Sequence, residues 1–114
     1  MNLLSKLFGN LTSRGRALAA YRRGMQKAGE RDLENAIVEY TMVVEMKDAP
    51  EDVIAMALLN RALAYSRAHD DDKAGADLER VLHMPAASKQ VLHAAHEKLH
   101  RMERRVSPKE QHAQ

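Results

Sequence analysis

Residues 61–82, RALAYSRAHDDDKAGADLERVL, decide the fold of this 114-residue chain. Apolar and small side chains recur every three or four positions on both sides of a polar run, which is the spacing of amphipathic helices. The acidic residues 70–72 provide a turn and a side-chain cap for the second helix. Small side chains at Ala62 and Ala74 let the helices approach closely. The stretch therefore predicts a tightly packed pair of helices.

An earlier stretch, residues 20–44, repeats this plan 38 positions upstream. Gly24 stands where Ala62 stands in the second copy, and Ala36 stands where Ala74 does. The other matched positions are Arg23 with Arg61, Asp32 with Asp70, Tyr40 with Leu78, Val43 with Val81 and Val44 with Leu82. Repeats of roughly 20 to 50 residues are typical of proteins built from stacked helix pairs. We therefore expect an all-α interaction scaffold.

Caps and breaks along the chain predict about five helices. Pro50 with acidic neighbours marks the clearest boundary, because proline fits the first turn of a helix. Ser13 is expected to cap the first helix, and Gly9-Asn10 to end a short amphipathic segment that lies on the domain, on a partner or on a membrane. The predicted helices span residues 14–28, 33–46, 50–68, 71–83 and 87–105. The predicted regions are an N-terminal amphipathic segment at 1–13, a helical domain at 14–105 and a polar tail at 106–114.

Composition excludes several classes of protein. The chain has no cysteine, so it has neither disulfides nor thiolate zinc ligands, which fits a reducing compartment. No run approaches the roughly 18 apolar residues that a membrane span needs. No phosphate-binding glycine loop or hydrolase motif occurs. We therefore expect a cytoplasmic protein that is not an enzyme, uses no cofactor and does not associate with a membrane.

Charge is unevenly distributed, although the formal net charge is only +2. Residues 1–31 carry a local charge of +6, residues 32–79 carry −8 and residues 80–114 carry +4. Such segregation favours anionic partners or association between molecules, and it is also compatible with solvated helix faces. The arginines lack interleaved aromatic side chains for base stacking, so nucleic acid is not an expected partner.

Over residues 17–105 the chain resembles tetratricopeptide repeat (TPR) proteins. In that family a small residue of the first helix packs against an alanine of the second, and the matching pairs here are Gly24 with Ala36 and Ala62 with Ala74. The aromatic positions of the family are matched by Tyr65 and Tyr40 and replaced by Lys27 and Leu78. The resemblance implies TPR-like antiparallel helix pairs in an α-α superhelix with a C-terminal capping helix. A generic bundle of four or five helices is the competing interpretation.

The resemblance also implies a concave groove, lined by the first helix of each pair and by the capping helix. Such a groove binds a peptide or a helix, so the expected function is that of an adaptor or scaffold for a protein partner with acidic residues. Asn60 and Lys89 match two positions of the carboxylate clamp of some members, but Tyr21, Met25 and His93 replace other clamp residues. The expected groove residues are Tyr21, Met25, Met56, Asn60, Leu63, Arg67, Lys89, His93 and His96.

Two further hypotheses stay open at this level. Two repeats are fewer than the three or so that stabilise an independent array, which favours self-assembly of a structural protein through its end faces. His93, His96 and His100 share a helix face at a spacing that chelates Zn²⁺ or Ni²⁺ when a further ligand is present. Their simpler role is polar groove surface, and we expect no metal there.

Overall fold

The computed structural model describes the backbone of residues 3–112 and the side chains of residues 3–4 and 12–105. Within residues 3–112 the chain is helical apart from short connections and contains no strand, which confirms the predicted all-α class. The five helices are α1 (Leu3–Gly29), α2 (Leu33–Glu45), α3 (Glu51–Arg67), α4 (Asp71–Leu82) and α5 (Lys89–His112).

Neighbouring helices along the chain pack against each other. The largest interfaces join α1 to α2 and α3 to α4, and α2 connects the two pairs by packing on α3. Helix α5 packs on α4. Helix α3 also contacts α1 and α5, which places it between them. Only three residues connect the helices of each pair, so the paired helices run antiparallel.

The two pairs share their turn geometry, 38 positions apart. Arg31 and His69 both adopt a left-handed backbone conformation, with φ of 63° and 65°. The next amide, of Asp32 or Asp70, donates to the carbonyl oxygen five residues earlier, at 2.9 and 2.8 Å. The carboxylates of Asp32 and Asp70 each accept the amide three residues later, at 3.3 Å. Both predicted N-caps are therefore confirmed.

The start of the first helix was predicted wrongly. Helix α1 begins at Leu3 and continues through Gly9-Asn10, so this dipeptide does not break the helix and Ser13 does not cap it. Glycine and asparagine cost about 1 kcal/mol or less inside a helix, whereas a break leaves backbone groups at both new ends unpaired. Ser13 instead donates to Asp48 at 2.7 Å. A functional division near residue 13 stays a prediction, and the side chains of residues 5–11 lie outside the described part.

The last helix was also predicted too short. Helix α5 begins at Lys89, next to Ser88, whose hydroxyl oxygen accepts the Val91 amide at 3.1 Å. It then continues past residue 105 to His112. Pro108 lies in this extension and has the lowest helix propensity of all residues, so intrinsic propensity does not account for the added length. The polar tail as a separate region stays a prediction.

Small residues build the core. Tyr40 is the largest fully buried side chain, and most of its buried neighbours are alanine, valine or leucine. Alanine at a helix contact lets two backbones approach closely without a cavity. The alanines with no exposed surface are Ala17, Ala36, Ala55, Ala57, Ala62, Ala74 and Ala95. None of the described helices combines the length and the apolar character needed to cross a membrane.

One ion pair recurs in both helix pairs. In the second pair, Arg61 of α3 makes two contacts of 2.8 Å with the Asp77 carboxylate of α4, and both side chains are largely buried. Thirty-eight positions earlier, Arg23 of α1 contacts Glu39 of α2 at 3.0 Å, nearer the surface. The arginines were matched in the sequence comparison, and the acidic partners extend that match. The repeat therefore includes a cross-helix ion pair.

Replacing His69 by glycine should stabilise the protein by about 1 kcal/mol, because glycine adopts a positive φ without the steric cost of a Cβ. His69 is exposed, so the change removes no buried contact. Thermal unfolding followed by circular dichroism should show a midpoint about 4 to 8 °C higher. The matched control, His69→Ala, keeps the Cβ and should show no such rise. An equal rise in both variants would contradict backbone strain as the cause.

Candidate functional site

Two adjoining cavities lie beside α3 and α5. The first, called the inner groove, has a volume of about 280 Å³ and draws its walls from α1, α2, α3 and α5. The second, called the basic cleft, has a volume of about 520 Å³ and is lined by cationic side chains of α5. The inner groove is lined by Ala28, Tyr40, Asn60, Leu63, Ala64, Arg67, Lys98 and Arg101. The basic cleft is lined by Lys98, Arg101, Arg104 and Arg105.

Tyr40 of α2 reaches the inner groove from beneath. Its side chain is only 1% exposed, and its ring lies 6.0 Å from the ring of Tyr21, centroid to centroid, at 46°. Burial, followed by the neighbouring Tyr21, raises the pKa of Tyr40 to about 12. The phenol therefore stays neutral at physiological pH. Gly24 of α1 makes room for this ring, because a Cβ there would lie 2.5 Å from Cε1 of Tyr40.

Asn60 connects the walls of the inner groove. Its amide nitrogen donates to the Tyr21 hydroxyl oxygen and to the Met56 carbonyl oxygen, both at 2.9 Å. Burial raises the pKa of Tyr21, and the hydrogen bond from Asn60 opposes that rise. Since these bonds occupy both amide hydrogens, Asn60 positions Tyr21 and α1. A ligand carboxylate, as in a carboxylate clamp, would have to displace one of them.

The structure brings together only part of the predicted groove set. Asn60, Leu63 and Arg67 line the inner groove, and Tyr21 joins them through Asn60. Met56 is half-buried against the core. Met25 is 48% exposed and lines neither cavity. The remaining predicted residues lie exposed on the first half of α5, away from both cavities: Lys89, His93 and His96.

The basic residues of the second half of α5 were missed as groove residues. Lys98 and Arg101 line the inner groove in place of Lys89 and His93, somewhat more than two helical turns further along. A signal was present in the sequence, because basic residues at 98, 101 and 105 share one helix face. Lys98 also fitted the apolar periodicity of the helix, and its long aliphatic stem explains why it occupies a half-buried position.

Positive charge dominates this face. Arg101 contacts Glu97 at 3.5 Å and Arg105 contacts Asp71 at 3.6 Å, both at exposed positions. Burial lowers the pKa of Lys98, and the neighbouring Arg105 and Arg101 lower it further, against the opposing effect of Asp71. No carboxylate lines either cavity in the part of the chain that the structure describes. Both cavities are thus suited to a negatively charged ligand.

A third cavity, called the outer cavity, lies against α1 and α2. Its volume is about 400 Å³ and its walls are largely apolar. Val38 and Met42 of α2 are 51% and 48% exposed, and Met42 belongs to the cavity wall. The outer cavity is lined by Arg16, Ala19, Ala20, Arg23, Met42 and Met46.

The histidines of α5 do not assemble into a metal centre among the described residues. His93, His96 and His100 are exposed, and the nearest carboxylate contact is 3.8 Å from His93 to Glu97. Within residues 3–4 and 12–105, no three histidine, aspartate or glutamate side chains lie close enough together to hold an ion. The geometry therefore gives no support to the chelate hypothesis.

Replacing Gly24 by alanine should destabilise the protein by about 1 to 3 kcal/mol, because the added methyl overlaps the buried ring of Tyr40. The matched control is Gly15→Ala in the same helix, where nothing lies within 4 Å of the added Cβ. That control should stabilise the protein by about 1 kcal/mol or less through helix propensity. Urea unfolding measures both changes.

A second substitution tests whether the ring of Tyr40 causes the loss of stability in Gly24→Ala. Tyr40→Leu recreates the alanine–leucine combination of the second repeat, so the loss in Gly24→Ala combined with Tyr40→Leu should be smaller than the sum of the single losses. Strict additivity of the two losses would show that the ring is not what excludes a Cβ at position 24.

Comparisons of the chain with protein-family models, curated proteins and solved structures found no match. What the cavities bind is therefore inferred from their own lining, charge and geometry.

Proposed function

We propose that this chain is a cytoplasmic binding module of the TPR type that holds an acidic peptide segment in the inner groove. The observation that carries the proposal is the lining of that groove. Apolar side chains form its floor, Arg67, Lys98 and Arg101 lie around it, and none of the described lining residues is acidic. The 38-residue repetition of turns, caps and ion pairs supports a helical-repeat scaffold around it.

The apolar floor provides contact area. Leu63 is half-buried, and Ala64 beside it is buried in the groove wall. An apolar peptide side chain that enters here gains roughly 25 cal/mol for each Å² removed from water. Tyr40 and Tyr21 are already packed against each other, and Tyr21 accepts a hydrogen bond from Asn60, so the floor needs little rearrangement on binding. Such preorganisation reduces the entropy that binding costs.

The cations provide orientation. Arg67 donates to the Ala28 carbonyl oxygen at 3.5 Å, a long contact that a ligand carboxylate can replace with a charge-assisted bond. Lys98 and Arg101 approach the same cavity from α5. An acidic residue next to the apolar anchor of the peptide would therefore meet positive charge from two helices. This arrangement selects acidic over neutral segments.

The inner groove is tested with two fluorescent hexapeptide pools that contain leucine and either glutamate or glutamine at the other positions. The glutamate pool should bind more tightly in fluorescence anisotropy. Lys98→Gln combined with Arg101→Gln should weaken it at least about tenfold, since each charge-assisted bond is worth roughly 1.5 to 3 kcal/mol. Leu63→Ala should weaken both pools about fivefold through lost apolar contact.

The matched control for the charge change is Arg22→Gln combined with Arg80→Gln, which removes two exposed arginines outside both cavities. This pair should change affinity less than about threefold, because screened surface charge contributes little. Equal losses in the two double variants, or equal binding of the two pools, would contradict groove binding.

Self-assembly is a second candidate function, favoured by the outer cavity. Exposed Val38 and Met42 beside buried Ala20 form an apolar patch on α1 and α2, and none of the described residues that line the outer cavity comes from α3 or α5. A second copy that buries this patch would supply the missing neighbour of the first repeat, as stacking does in helical-repeat arrays.

Light scattering after size exclusion decides between a monomer and an assembly. At ~100 µM the self-assembling protein should show the mass of a dimer or larger species, and Met42→Glu should return it to a monomer. Met25→Glu is the matched control, because Met25 is also 48% exposed and lies outside the outer cavity. A monomeric parent protein would exclude this candidate without affecting the inner groove.

A further inference from the structure

The basic cleft carries more positive charge than its surroundings balance. Of its four cations, Arg101 contacts Glu97 and Arg105 contacts Asp71. Within the described side chains, Lys98 and Arg104 form no ion pair. Among the described side chains, four cations with two carboxylates leave a surplus of two positive charges around a cavity of about 520 Å³.

The surplus positive charges repel one another, and a bound anion would remove this repulsion. Lys98 is half-buried, and Arg105 and Arg101 lie close enough to lower its pKa in addition to the effect of burial. Like charges held near one another disfavour their own charged forms. An anion among them replaces this repulsion with attraction.

We propose that the basic cleft binds a phosphate group carried by the peptide that lies in the inner groove. This rests on the proposed function of that groove. A phosphate monoester carries about −1.5 to −2 charges near neutral pH, which matches the surplus, whereas one carboxylate supplies half of it. Its oxygens suit the paired N–H groups of arginine, and three of the four described lining residues are arginines.

The two cavities are placed for one continuous ligand. Lys98 and Arg101 line both, so a phosphorylated residue in the basic cleft has its sequence neighbour at the inner groove. That neighbour meets the apolar surface of Leu63 and Ala64. The two sites together therefore recognise a peptide in which a phosphorylated residue is next to an apolar residue.

The lining of the basic cleft favours a phosphopeptide over other phosphate-bearing macromolecules. None of its described lining residues is aromatic, so they provide no stacking surface of the kind on which single-stranded nucleic acids depend. The described lining residues also include no apolar side chain that would enter a bilayer beside a lipid headgroup. A peptide needs neither, because its apolar contacts fall in the inner groove.

The experiment uses three fluorescent peptide pools that share degenerate flanking positions and differ only in a central phosphoserine, serine or glutamate. The phosphoserine pool should bind the full chain at least about tenfold more tightly than the serine pool. Arg104→Gln combined with Arg105→Gln should remove that advantage and leave the serine pool unchanged, because neither arginine lines the inner groove. Millimolar inorganic phosphate should compete with the phosphoserine pool only.

Arg22→Gln combined with Arg80→Gln serves as the matched control and should keep the preference for phosphoserine. Circular dichroism on every variant confirms equal helicity, so that a loss of binding is not a loss of fold. Equal affinity for phosphoserine and serine, or an equal loss in both double variants, would overturn the proposal. Tighter binding of a single-stranded oligonucleotide or of vesicles with anionic lipid would overturn it too.

Failure of the basic cleft and failure of the inner groove give different results. If the serine and glutamate pools bind through Leu63 and the phosphate adds nothing, the groove function stands and the phosphate site is wrong. If none of the three pools binds, both proposals are wrong.

Discussion

The ion pair between Arg61 and Asp77 is the contact on which the helical arrangement depends. Its two bonds of 2.8 Å join α3 to α4, and the same guanidinium donates a third bond of 3.1 Å to the hydroxyl oxygen of Thr41 in α2. The two side chains are 15% and 9% exposed, and removal of one partner from such a buried pair typically costs about 3 to 5 kcal/mol. Tyr65 adds a cation–π contact, with its ring centroid 5.7 Å from the guanidinium. One side chain thus fixes three helices.

The same contact sets the rotation of α3 about its axis, and this rotation places the groove. Adjacent residues of a helix point about 100° apart. With Arg61 directed at α2 and α4, Asn60 is directed at Tyr21 of α1, and Leu63 and Arg67 face the space next to α5. The choice of α3 side chains that face the groove is therefore a consequence of a structural ion pair on the opposite side of the helix.

The sequence predicted the features that depend on local chemistry. The caps at Asp32 and Asp70 need only a short polar side chain before a helix, and the repeat follows from residues at a fixed spacing. The start of α1 was misjudged because glycine and asparagine weaken a helix without ending it. The position of Lys98 and Arg101 in the wall of the inner groove was not predicted. It depends on how α5 crosses α3 and α4, and that crossing is set by buried contacts such as those of Ala95 and Met102. Periodicity identified the buried stripe of that helix but not which flanking residues face α3.

The first helix pair places Gly24 opposite Tyr40, whereas the second has Ala62 and Leu78 at the matching positions. The two pairs are therefore similar in shape, but their helices are not interchangeable. If α3 folded onto α2 in the manner of α1, the methyl of Ala62 would meet the ring of Tyr40 where Gly24 leaves no Cβ. If α1 folded onto α4, Gly24 opposite Leu78 would leave a void. Internal repeats invite such mispairing during folding and between chains. The size mismatch therefore opposes pairing between helices of different repeats, within one chain and between chains.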